Sequence, residues 1–458
     1  MIVMKFGGTS VANYEAITRS VSIVESRLAE KPIVVVSALS KVTDLLYRIS
    51  DSATVGDRQS VEELLGELRG RHISLVNELL AENESLCGQA CAKVDEICDG
   101  LDSFVGAVCA LGELTDRSKA KIISHGEWLS SNIICYAMNA RGIRTGFIDA
   151  RMMMKTTDDY LKGEPLVGEI VKNAPETVAK AYEGADAVIT QGFIASTMKG
   201  EPSVLGRGGS DYSASLIGMA VDAERIEIWT DVDGVRTADP RMVKNTRSID
   251  RISFEEAAEM AHFGAKVLHP LTIEPAVMKN IPVYVLNSMN PEGAGTAILQ
   301  SDSIEDGVKS ISFKENILLL NIFSTRMINV SGFLKRVFEI FSENKVSVDL
   351  ISTSEANISL TMDAGQNIDK VVRELSEFAE VGVDTDKSQV SIIGKNIVNL
   401  RGLLRQAMSS LGGSNVYMIS QGASFVNISF VVDRASLSDV VNEVHKYLFE
   451  TERYESGN

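Results

Sequence analysis

A duplication in the last third of the chain restricts what that part of the sequence can fold into. The segment SGFLKR at residues 331–336 is similar to RGLLR at 401–405, and NISL at 357–360 is similar to NISF at 427–430. Both pairs are separated by 70 residues, which indicates a duplicated structural unit. Each copy reads as strand, helix, strand, strand and helix, so we predict two α+β modules with helices on one face of the sheet. Such a pair can serve only as a dimerisation scaffold, or it can also shelter a ligand at its interface.

The sequence before the repeat, as far as about residue 300, alternates between strand and helix patterns. Residues 2–6 read as a strand, which is followed by glycines and by a helical pattern from residue 11 to about residue 29. Residues 33–36 are continuously β-branched, as in a parallel strand that is covered on both faces. Further strands are expected at 145–148, 187–190, 225–230 and 282–286, and residues 60–140 read as long amphipathic helices. We therefore predict an α/β fold with a mostly parallel central sheet between helices.

The charge and the apolar segments of the chain exclude several kinds of partner. The 45 basic and 62 acidic residues give a net charge of −17, which argues against binding to nucleic acid. The apolar stretches are far shorter than the roughly 18 residues that a membrane span needs, and no secretion signal is evident, so we expect a cytoplasmic protein without a membrane partner. The five cysteines lie between residues 87 and 135 without a matching histidine cluster, so we expect buried thiols rather than disulfides or a zinc site.

The first candidate for chemistry is the segment KFGGTS at residues 5–10, between a predicted strand and a predicted helix. Glycines let backbone N–H groups approach phosphate oxygens, and the start of a helix adds a favourable partial charge. Lys5 would place a positive charge at a transferred group. The segment is not a Walker A motif, because its lysine precedes the glycines. Taken alone it also fits a simple turn, so the interpretation needs support from other motifs.

The second candidate is LGRGGSDYSA at residues 205–214, which is again rich in glycine and again leads into a helical pattern. The Arg207 guanidinium can form two parallel hydrogen bonds to a carboxylate or a phosphate. Asp211 could orient a catalytic lysine or lie near a metal. The alternative is an aspartate that caps the helix and an arginine on the surface. Two glycine-rich helix starts in one domain favour an anion-binding site.

A third segment, WTDVDGVRTADPR at residues 229–241, follows the strand predicted at 225–230. Ligands of open α/β sheets bind where the strands end. The segment begins like a calcium loop, but Met242 stands where such a loop requires glutamate, so we reject calcium. A plain polar loop remains the alternative.

The fourth candidate is Glu127 in SHGEWLS at residues 124–130, which lies beside Trp128 on an apolar helix. A partly buried carboxylate needs a partner, which can be the ammonium group of a substrate or another side chain of the protein. We expect His125 and His269 to be hydrogen-bonded structural residues rather than metal ligands.

Together these segments resemble the aspartate kinases (aspartokinases) of the amino acid kinase family, over essentially the whole chain. The resemblance also rests on further segments, SALSKVTDLL at 37–46, TQGFIAS at 190–196, FGAKVLHP at 263–270 and SVDLISTSE at 347–355. It implies ATP-dependent phosphorylation of the side-chain carboxylate of L-aspartate to 4-phospho-L-aspartate, for lysine, threonine and methionine synthesis. It also implies a kinase domain at 1–300, a first ACT domain at 315–387 and a second at 301–314 plus 388–458, with no homoserine dehydrogenase part.

The resemblance assigns roles at the active site. Lys5 and Asp211 would be catalytic. The residues that would bind aspartate are Ser37, Thr43, Glu127, Arg207, Gly208, Gly209 and Ser210. The residues that would bind ATP are Lys5, Phe6, Gly7, Gly8, Thr230, Asp231, Arg236, Arg241, Lys266 and Val267. Mg²⁺ would be carried by the ATP phosphates, with no protein ligand assigned. Relatives commonly carry tyrosine at the position of Arg236, whose guanidinium plane can also stack on a base.

The repeat resembles paired ACT domains, which are amino-acid-sensing modules. The resemblance implies feedback inhibition by L-lysine, bound to the first module where two subunits of a homodimer or homotetramer meet. The implied effector residues are Met327, Phe333, Leu334, Ser347, Val348, Asp349, Ser354 and Glu355. Asp349 and Glu355 would suit a cationic ligand. Val330 replaces a serine of some lysine-sensitive relatives, which leaves threonine open as an effector.

Three other functions compete with this one. Another amino acid kinase, acting on acetylglutamate, glutamate or carbamate, would usually lack the tandem repeat. A catalytically silent amino-acid sensor would not need Lys5, Arg207 and Asp211 together. A regulatory subunit for a separate catalytic chain would not need the complete kinase segment.

Overall fold

The computed structural model describes residues 1–264, 270–327 and 331–450, and only the backbone of residues 270 and 271. The chain forms two compact units. The first consists of Met1–Val235 and Leu268–Gln300, and the second of Arg236–Val267 and Ser301–Asn458. None of the helices in the described ranges is long and apolar enough to cross a membrane.

The strands are numbered in chain order through both units. They are β1 (Ile2–Phe6), β2 (Pro32–Val36), β3 (Thr145–Ile148), β4 (Lys155–Thr156), β5 (Ala187–Gln191), β6 (Ile194–Thr197), β7 (Pro202–Val204), β8 (Arg225–Thr230), β9 (Arg251–Ser253), β10 (Val283–Asn287), β11 (Thr296–Leu299), β12 (Gly307–Phe323), β13 (Ile351–Thr353), β14 (Asn357–Asp363), β15 (Glu380–Lys395), β16 (Val416–Gln421) and β17 (Asn427–Asp433).

The α-helices are numbered in the same way. They are α1 (Tyr14–Glu25), α2 (Val42–Thr54), α3 (Arg58–Leu79), α4 (Glu84–Leu111), α5 (Asp116–Ile123), α6 (His125–Ala140), α7 (Val167–Ala181), α8 (Gly209–Ala220), α9 (Phe254–His262), α10 (Pro270–Lys279), α11 (Phe333–Glu343), α12 (Asp369–Ser376), α13 (Leu403–Ser410) and α14 (Leu437–His445). Short 3-10 helices lie at Gly8–Val11, Leu28–Glu30, Ala150–Met152, Ser301–Ser303, Thr325–Met327, Ile397–Asn399 and Arg434–Ser436, and a π-helical turn lies at Lys446–Glu450.

The first unit is built on the predicted parallel sheet. Its strands lie in the order β3-β5-β2-β1-β8-β10-β11, and every neighbouring pair is parallel except β10 and β11. All five residues of β2 are buried, as its continuous β-branched run predicted, and all five residues of β1 are buried as well. A small separate sheet contains β4, β6 and β7. The α/β prediction is therefore confirmed.

The first helix starts later than the sequence pattern suggested. The glycine turn after β1 continues as a 3-10 helix at Gly8–Val11, and α1 begins only at Tyr14. The side chain of Asn13 accepts a hydrogen bond from the Ala16 N–H and so caps α1. The chain therefore makes two short turns before the regular helix, which places the glycines outside it.

The second unit contains the duplicated modules. Its six-stranded antiparallel sheet has the order β13-β14-β12-β15-β17-β16. One copy of the repeat runs β12, α11, β13, β14, α12, and the other runs β15, α13, β16, β17, α14. Each copy has its own apolar cluster, with Leu320 and Leu375 buried in the first and Phe430 and Val441 buried in the second. The order of elements predicted for each copy is confirmed.

The cysteines differ in part from the prediction. All five are free thiols, as expected. Cys98 and Cys109 are buried, but Cys87, Cys91 and Cys135 are only partly buried. The prediction of buried thiols was wrong for these three, because they pack against the edge of the apolar core and keep part of their surface exposed. Burial raises the pKa of the Cys98 thiol and that of the Cys135 thiol to about 11.

Replacement of Gly146 by alanine should destabilise the first unit. A Cβ atom on this residue of β3 would collide with the carbonyl oxygen of Ala181, the last residue of α7. Backbone atoms cannot rotate away as a side chain can, and overpacking typically costs about 1–3 kcal/mol. We expect differential scanning calorimetry to give a melting temperature several degrees below that of the unmodified protein.

Gly168→Ala is the matched control, because Gly168 is exposed in the first turn of α7 and no heavy atom lies within 4 Å of its added Cβ. Alanine is favoured over glycine in a helix by about 0.5–1 kcal/mol, so this variant should melt at the same temperature or higher. Equal melting temperatures of the two variants would contradict the packing of β3 against α7.

Candidate active site

The glycine turn after β1 lies against the ends of both neighbouring strands. The Gly7 N–H donates to the Trp229 carbonyl of β8 at 3.1 Å, and the Ser40 N–H donates to the Gly8 carbonyl at 3.1 Å. A Cβ atom on Gly8 would lie 3.1 Å from the Ala38 carbonyl oxygen, which leaves little room for a side chain. The loop after β2 therefore packs directly on the turn, and both belong to the edge where the parallel strands end.

A buried ion pair joins this turn to the second glycine-rich segment. Lys5 is only 8% exposed, and its Nζ lies 2.5 Å from Oδ1 of Asp211 in the first turn of α8. A Cβ atom on Gly7 would lie 3.5 Å from the same Nζ. The lysine ammonium therefore lies beside the glycine turn, and the structure brings together two residues that are 206 positions apart in the sequence.

The loop that contains Arg207 needs glycine for steric reasons. Gly206 and Gly208 have φ angles of 73° and 71°, in the left-handed region. A Cβ atom on Gly209 would lie 2.7 Å from the ring of Phe193, in the segment that follows β5. Arg207 itself is exposed and forms no salt bridge with any residue in the described ranges. Its guanidinium group is therefore available to a ligand beside the start of α8.

Glu127 is a buried carboxylate without a charged partner. It is 4% exposed in the first turn of α6, and its Oε2 atom has no hydrogen-bond partner among the described residues. Burial raises the pKa of Glu127 to about 8, although hydrogen bonds from the backbone of Ala38 and of Glu127 itself act to lower it. The contact with Ala38 places this carboxylate at the loop after β2, next to the glycine turn.

The remaining residues predicted to bind aspartate lie around the same loop and the start of α8. Ser37 follows β2, with its N–H bonded to the Phe6 carbonyl at 3.1 Å and its carbonyl bonded to the Ser130 hydroxyl at 2.8 Å. Thr43 lies partly buried in the first turn of α2. Gly209 and Ser210 form the first turn of α8, whose backbone N–H groups favour an anion.

The strand β8 ends at Thr230, as the sequence predicted, and Asp231 follows it. Thr230 donates a hydrogen bond of 3.2 Å to the carboxylate of Asp231, which is exposed. Ser288, at the end of β10, donates its N–H to the Thr230 carbonyl at 2.8 Å, and its hydroxyl lies 2.8 Å from the hydroxyl of Ser10. Two buried hydroxyls thus connect the ends of β8 and β10 to the turn after β1.

The other residues predicted to bind ATP belong to the second unit or lie outside the described ranges. The Arg236 guanidinium donates to the side chain and the carbonyl of Thr246 at 2.7 and 2.8 Å. Arg241 is exposed, and its guanidinium donates to the Asp239 carboxylate at distances of 2.5 to 3.1 Å. Lys266 and Val267 lie outside the described residues. Base stacking by Arg236 stays a prediction.

The sequence predicted that His125 and His269 are hydrogen-bonded structural residues rather than metal ligands. His125 is bonded through Nδ1 to the Lys121 carbonyl at 2.8 Å, as expected of a structural histidine. Burial lowers the pKa of its imidazole. His269 lies outside the described residues. Within the described ranges, no group of three or more His, Cys, Asp or Glu side chains could hold a metal ion.

The effector residues predicted for the first ACT module fall into two groups. Met327, Phe333 and Leu334 lie between the end of β12 and the start of α11, and Ser354 and Glu355 lie in the nearby turn after β13. The Ser324 N–H donates to the Ala356 carbonyl at 2.9 Å, which joins these segments at one end of the module.

The second group, Ser347, Val348 and Asp349, precedes β13. Asp349 and Ser354 are five positions apart in mostly extended chain, which corresponds to about 16 Å at 3.3 Å per residue. The structure therefore does not bring the two groups together within one chain.

Asp349 already has partners within the second unit, Lys314 on β12 and His262 on α9. Its Oδ2 atom lies 2.7 Å from Nζ of Lys314, and its Oδ1 atom lies 3.5 Å from Nε2 of His262. Burial acts to raise the pKa of Asp349, but hydrogen bonds from His262 and Lys314 outweigh it and hold this pKa below its ordinary value. Asp349 is therefore a charged, paired carboxylate in this structure.

Several of these contacts could not be found from the sequence. Ser10 and Ser288 are 278 residues apart, and neither lies in a segment that indicates a partner. Gln366 exchanges two hydrogen bonds, of 2.7 and 2.8 Å, with the backbone of Ser347. The sequence places Lys314 at the end of the segment 301–314 and predicts no role for it in effector binding. In the structure it contacts Asp349, a predicted effector residue.

Comparison with known proteins agrees with this arrangement. The sequence model described as the amino acid kinase family matches residues 1–287, and the model of an ACT domain matches residues 320–377 and 390–448. The chain therefore belongs to the amino acid kinase family, with ACT domains behind the kinase part.

Within this family, the relatives are aspartokinases. The chain is 35% identical over 461 residues to lysine-sensitive aspartokinase 3 of Escherichia coli, covering 98% of this chain and 99% of the relative. It is 37% identical over 472 residues to chloroplastic aspartokinase 3 of Arabidopsis thaliana, covering 99% and 82%. The crystal structure of E. coli aspartokinase III with aspartate and ADP has a TM-score of 0.85 at 34% identity, covering 98% of this chain and 100% of the other. Its complex with lysine and aspartate has a TM-score of 0.80 at 34% identity, covering 98% and 99%.

The buried carboxylate of Glu127 should make the stability of the protein depend on pH. Between about 4.5, the ordinary value, and about 8, its pKa in the folded chain, the unfolded state has released a proton that the folded state retains. The free energy of unfolding should therefore fall as the pH rises through this range. Glu127→Gln removes the titration, so the melting temperature of the unmodified protein should fall relative to that of this variant as the pH rises.

Glu62→Gln, which changes an exposed glutamate on α3, controls for the loss of one surface charge. Melting curves without ligands should show the pH-dependent difference for Glu127→Gln and not for Glu62→Gln. Parallel curves for the Glu127 variant and the unmodified protein would show that this carboxylate is not held protonated.

Proposed function

We propose that this chain is an aspartate kinase, which transfers the terminal phosphoryl group of ATP to the side-chain carboxylate of L-aspartate. The observation that carries the proposal is the buried ammonium of Lys5 beside the glycine turn. The loop that packs on this turn contacts the Glu127 carboxylate, whose Oε2 atom has no partner among the described residues. The solved relative of highest TM-score given above was crystallised with aspartate and ADP. The product, 4-phospho-L-aspartate, leads to lysine, threonine and methionine.

The reaction needs charge neutralisation more than acid–base chemistry. The attacking carboxylate has a reference pKa near 4, so it is already ionised at neutral pH and needs no general base. Phosphoryl transfer is accelerated mainly by positioning and by stabilisation of the developing charge. Lys5, held by Asp211 at 2.5 Å, would stabilise the transferred group together with the backbone of Gly7 and Gly8.

The proposed aspartate site uses two side chains, Glu127 and Arg207, that have no ion-pair partner among the described residues. Glu127 would bind the ammonium group of aspartate, whose positive charge would stabilise the ionised form of this buried carboxylate. Arg207 would bind the α-carboxylate with two parallel hydrogen bonds, supported by the N–H groups at the start of α8. Ser37 and Thr43 would complete the site.

In the first unit, Phe6, Thr230 and Asp231 would bind the nucleotide, and the roles implied for Arg236, Arg241, Lys266 and Val267 in ATP binding stay predictions. Thr230 and Asp231 support this nucleotide site by their place at the end of β8, beside the glycine turn. A Mg²⁺ ion would be carried by the phosphates of ATP, with no protein ligand assigned. Such an ion would neutralise phosphate charge.

We also propose that L-lysine inhibits the enzyme through the first ACT module. The separation of Asp349 from Ser354 and Glu355 supports a site that two chains share, because a two-fold axis can bring one end of a module against the other end in a second copy. Lysine would then stabilise an inactive arrangement and shift the population toward it. Assembly as a homodimer or homotetramer, and a cytoplasmic location, remain predictions.

Substitutions of Lys5 and Arg207 should separate catalysis from substrate binding. Lys5→Ala removes the charge at the transferred group, so kcat should fall about 100-fold or more. Arg207→Ala removes a two-pronged contact to aspartate, so KM for aspartate should rise at least about tenfold while KM for ATP changes little. The measurement is ADP release with ATP, Mg²⁺ and a panel of acidic amino acids.

Arg207→Lys is the matched control, because it retains the charge but not the planar geometry, and its KM for aspartate should lie between the other two values. An unaltered KM for aspartate in Arg207→Ala would remove Arg207 from its proposed role. Turnover of glutamate or acetylglutamate in place of aspartate would contradict the proposed substrate.

Mixed dimers can test the shared lysine site. Asp349→Ala and Glu355→Ala should each raise the lysine concentration for half-inhibition at least about tenfold, because each removes a carboxylate from a cationic ligand. When the two variants are coexpressed, one site of a mixed dimer keeps both carboxylates, so part of the lysine inhibition should return. Glu377→Ala, which changes an exposed glutamate of the same module, should leave inhibition unchanged. No recovery in the mixture would contradict a site made by two chains.

A further inference from the structure

The carboxylate of Asp349, which we propose for effector binding, is occupied by a lysine of its own chain. The ammonium of Lys314 lies 2.7 Å from Asp349, and the two side chains are only 15% and 8% exposed. An effector with a cationic side chain presents the same chemical group to the same carboxylate. Both ammonium groups cannot take that place together without repulsion between like charges.

Lys314 has a second carboxylate within reach. Its Nζ lies 3.2 Å from Oδ1 of Asp363, whose side chain is 63% exposed at the end of β14. Lys314 can therefore leave Asp349 and keep a salt bridge with Asp363 at the solvent-exposed side. This second partner lowers the cost of giving up the first.

The second ACT module provides an internal comparison. Its strand β17 ends at Asp433, as β14 of the first module ends at Asp363. The Asp433 carboxylate lies 3.0 Å from the buried ammonium of Lys387. The strand register places Tyr417 at the position that corresponds to Asp349, and the Lys387 ammonium lies 4.1 Å from the centre of its ring. A tyrosine ring cannot offer a carboxylate to a cationic amino acid. Lys387 also has two carboxylate partners, Asp433 and, at 2.6 Å, Asp384, but among the described residues neither stands at the position that corresponds to Asp349.

We propose that Lys314 is an internal competitor for the effector, and that a cationic amino acid binds the first ACT module by displacing the Lys314 ammonium from Asp349 toward Asp363. The proposal rests on the lysine site under the proposed function and adds a residue that sets its affinity. Lys314 weakens effector binding by occupying Asp349 in the free protein, since a ligand must first remove this contact. A pair with only a structural role would have the opposite effect, because its loss would disorder the site and weaken binding.

Isothermal titration calorimetry of the full-length protein with L-lysine tests the competition. Lys314→Met keeps the apolar stem and removes the ammonium, so Kd for lysine should fall about tenfold. Asp363→Asn removes the alternative partner, so Lys314 should stay on Asp349 and Kd should rise several-fold. Lys370→Met, which removes an exposed ammonium paired with Glu374 in the same module, should leave Kd unchanged.

Opposite shifts of Kd in Lys314→Met and Asp363→Asn would support the proposal. Equal or weaker lysine binding in Lys314→Met, with a melting temperature near that of the unmodified protein, would overturn it. If Lys314→Met is unstable, Asp363→Asn still decides, because tighter or unchanged binding in that exposed-site variant contradicts the competition. If neither the unmodified protein nor Lys314→Met binds lysine, ornithine or arginine, the proposal is also wrong.

The same samples separate this proposal from the proposed catalytic function. ADP release with aspartate measures catalysis without an effector, and the Lys314 and Asp363 variants should keep the basal rate, because neither residue belongs to the proposed active site. If the unmodified protein does not turn over aspartate, the proposed kinase activity is wrong. The order of the Kd values for lysine still tests the competition in that case.

Discussion

The central position of β1 in the parallel sheet controls where the proposed chemistry can take place. All five residues of β1 are buried, and the strand is hydrogen-bonded to β2 on one side and β8 on the other. Because parallel strands end at the same edge, the glycine turn after β1 must emerge between the loops that follow its neighbours. Lys5, inside the strand, can then reach the turn and the first residues of α8. The two glycine-rich segments meet through the ion pair of Lys5 with Asp211, although the second segment follows β7 of the separate small sheet.

The cost of burying a charged side chain is avoided in two ways at the candidate sites. Lys5 and Lys314 are mostly buried cations, and each is neutralised by an aspartate of its own unit, Asp211 and Asp349. Glu127 has no such partner in the part of the chain that the structure describes, and burial raises its pKa to about 8. A buried charge must be paired or removed by a proton, since its desolvation is costly otherwise. A cationic ligand at Asp349 therefore has to replace the Lys314 ammonium, and an ammonium group bound at Glu127 has to replace the proton of this carboxyl group.

Much of the fold could be predicted because it depends on local patterns. The apolar run at residues 33–36 became the buried strand β2, and the repeat at 70 residues became two copies of one order of elements. The start of α1 was placed too early, since the 3-10 turn and the cap at Asn13 interrupt the helical pattern. The exposed faces of the cysteine-bearing helices were also not evident, because periodicity alone does not say how much of a helix the core covers.

The sequence by itself determined the α/β class, the duplicated modules and the residue types of the candidate sites. These features can be recognised from the residue patterns of short segments, such as strand and helix periods, glycine turns and repeated motifs. Only the tertiary structure decided which charges meet. It paired Lys5 with Asp211, left Glu127 without a cation and placed Lys314 against Asp349. These contacts join positions that are far apart along the chain, and their geometry follows from the packing of whole elements, which no local pattern specifies.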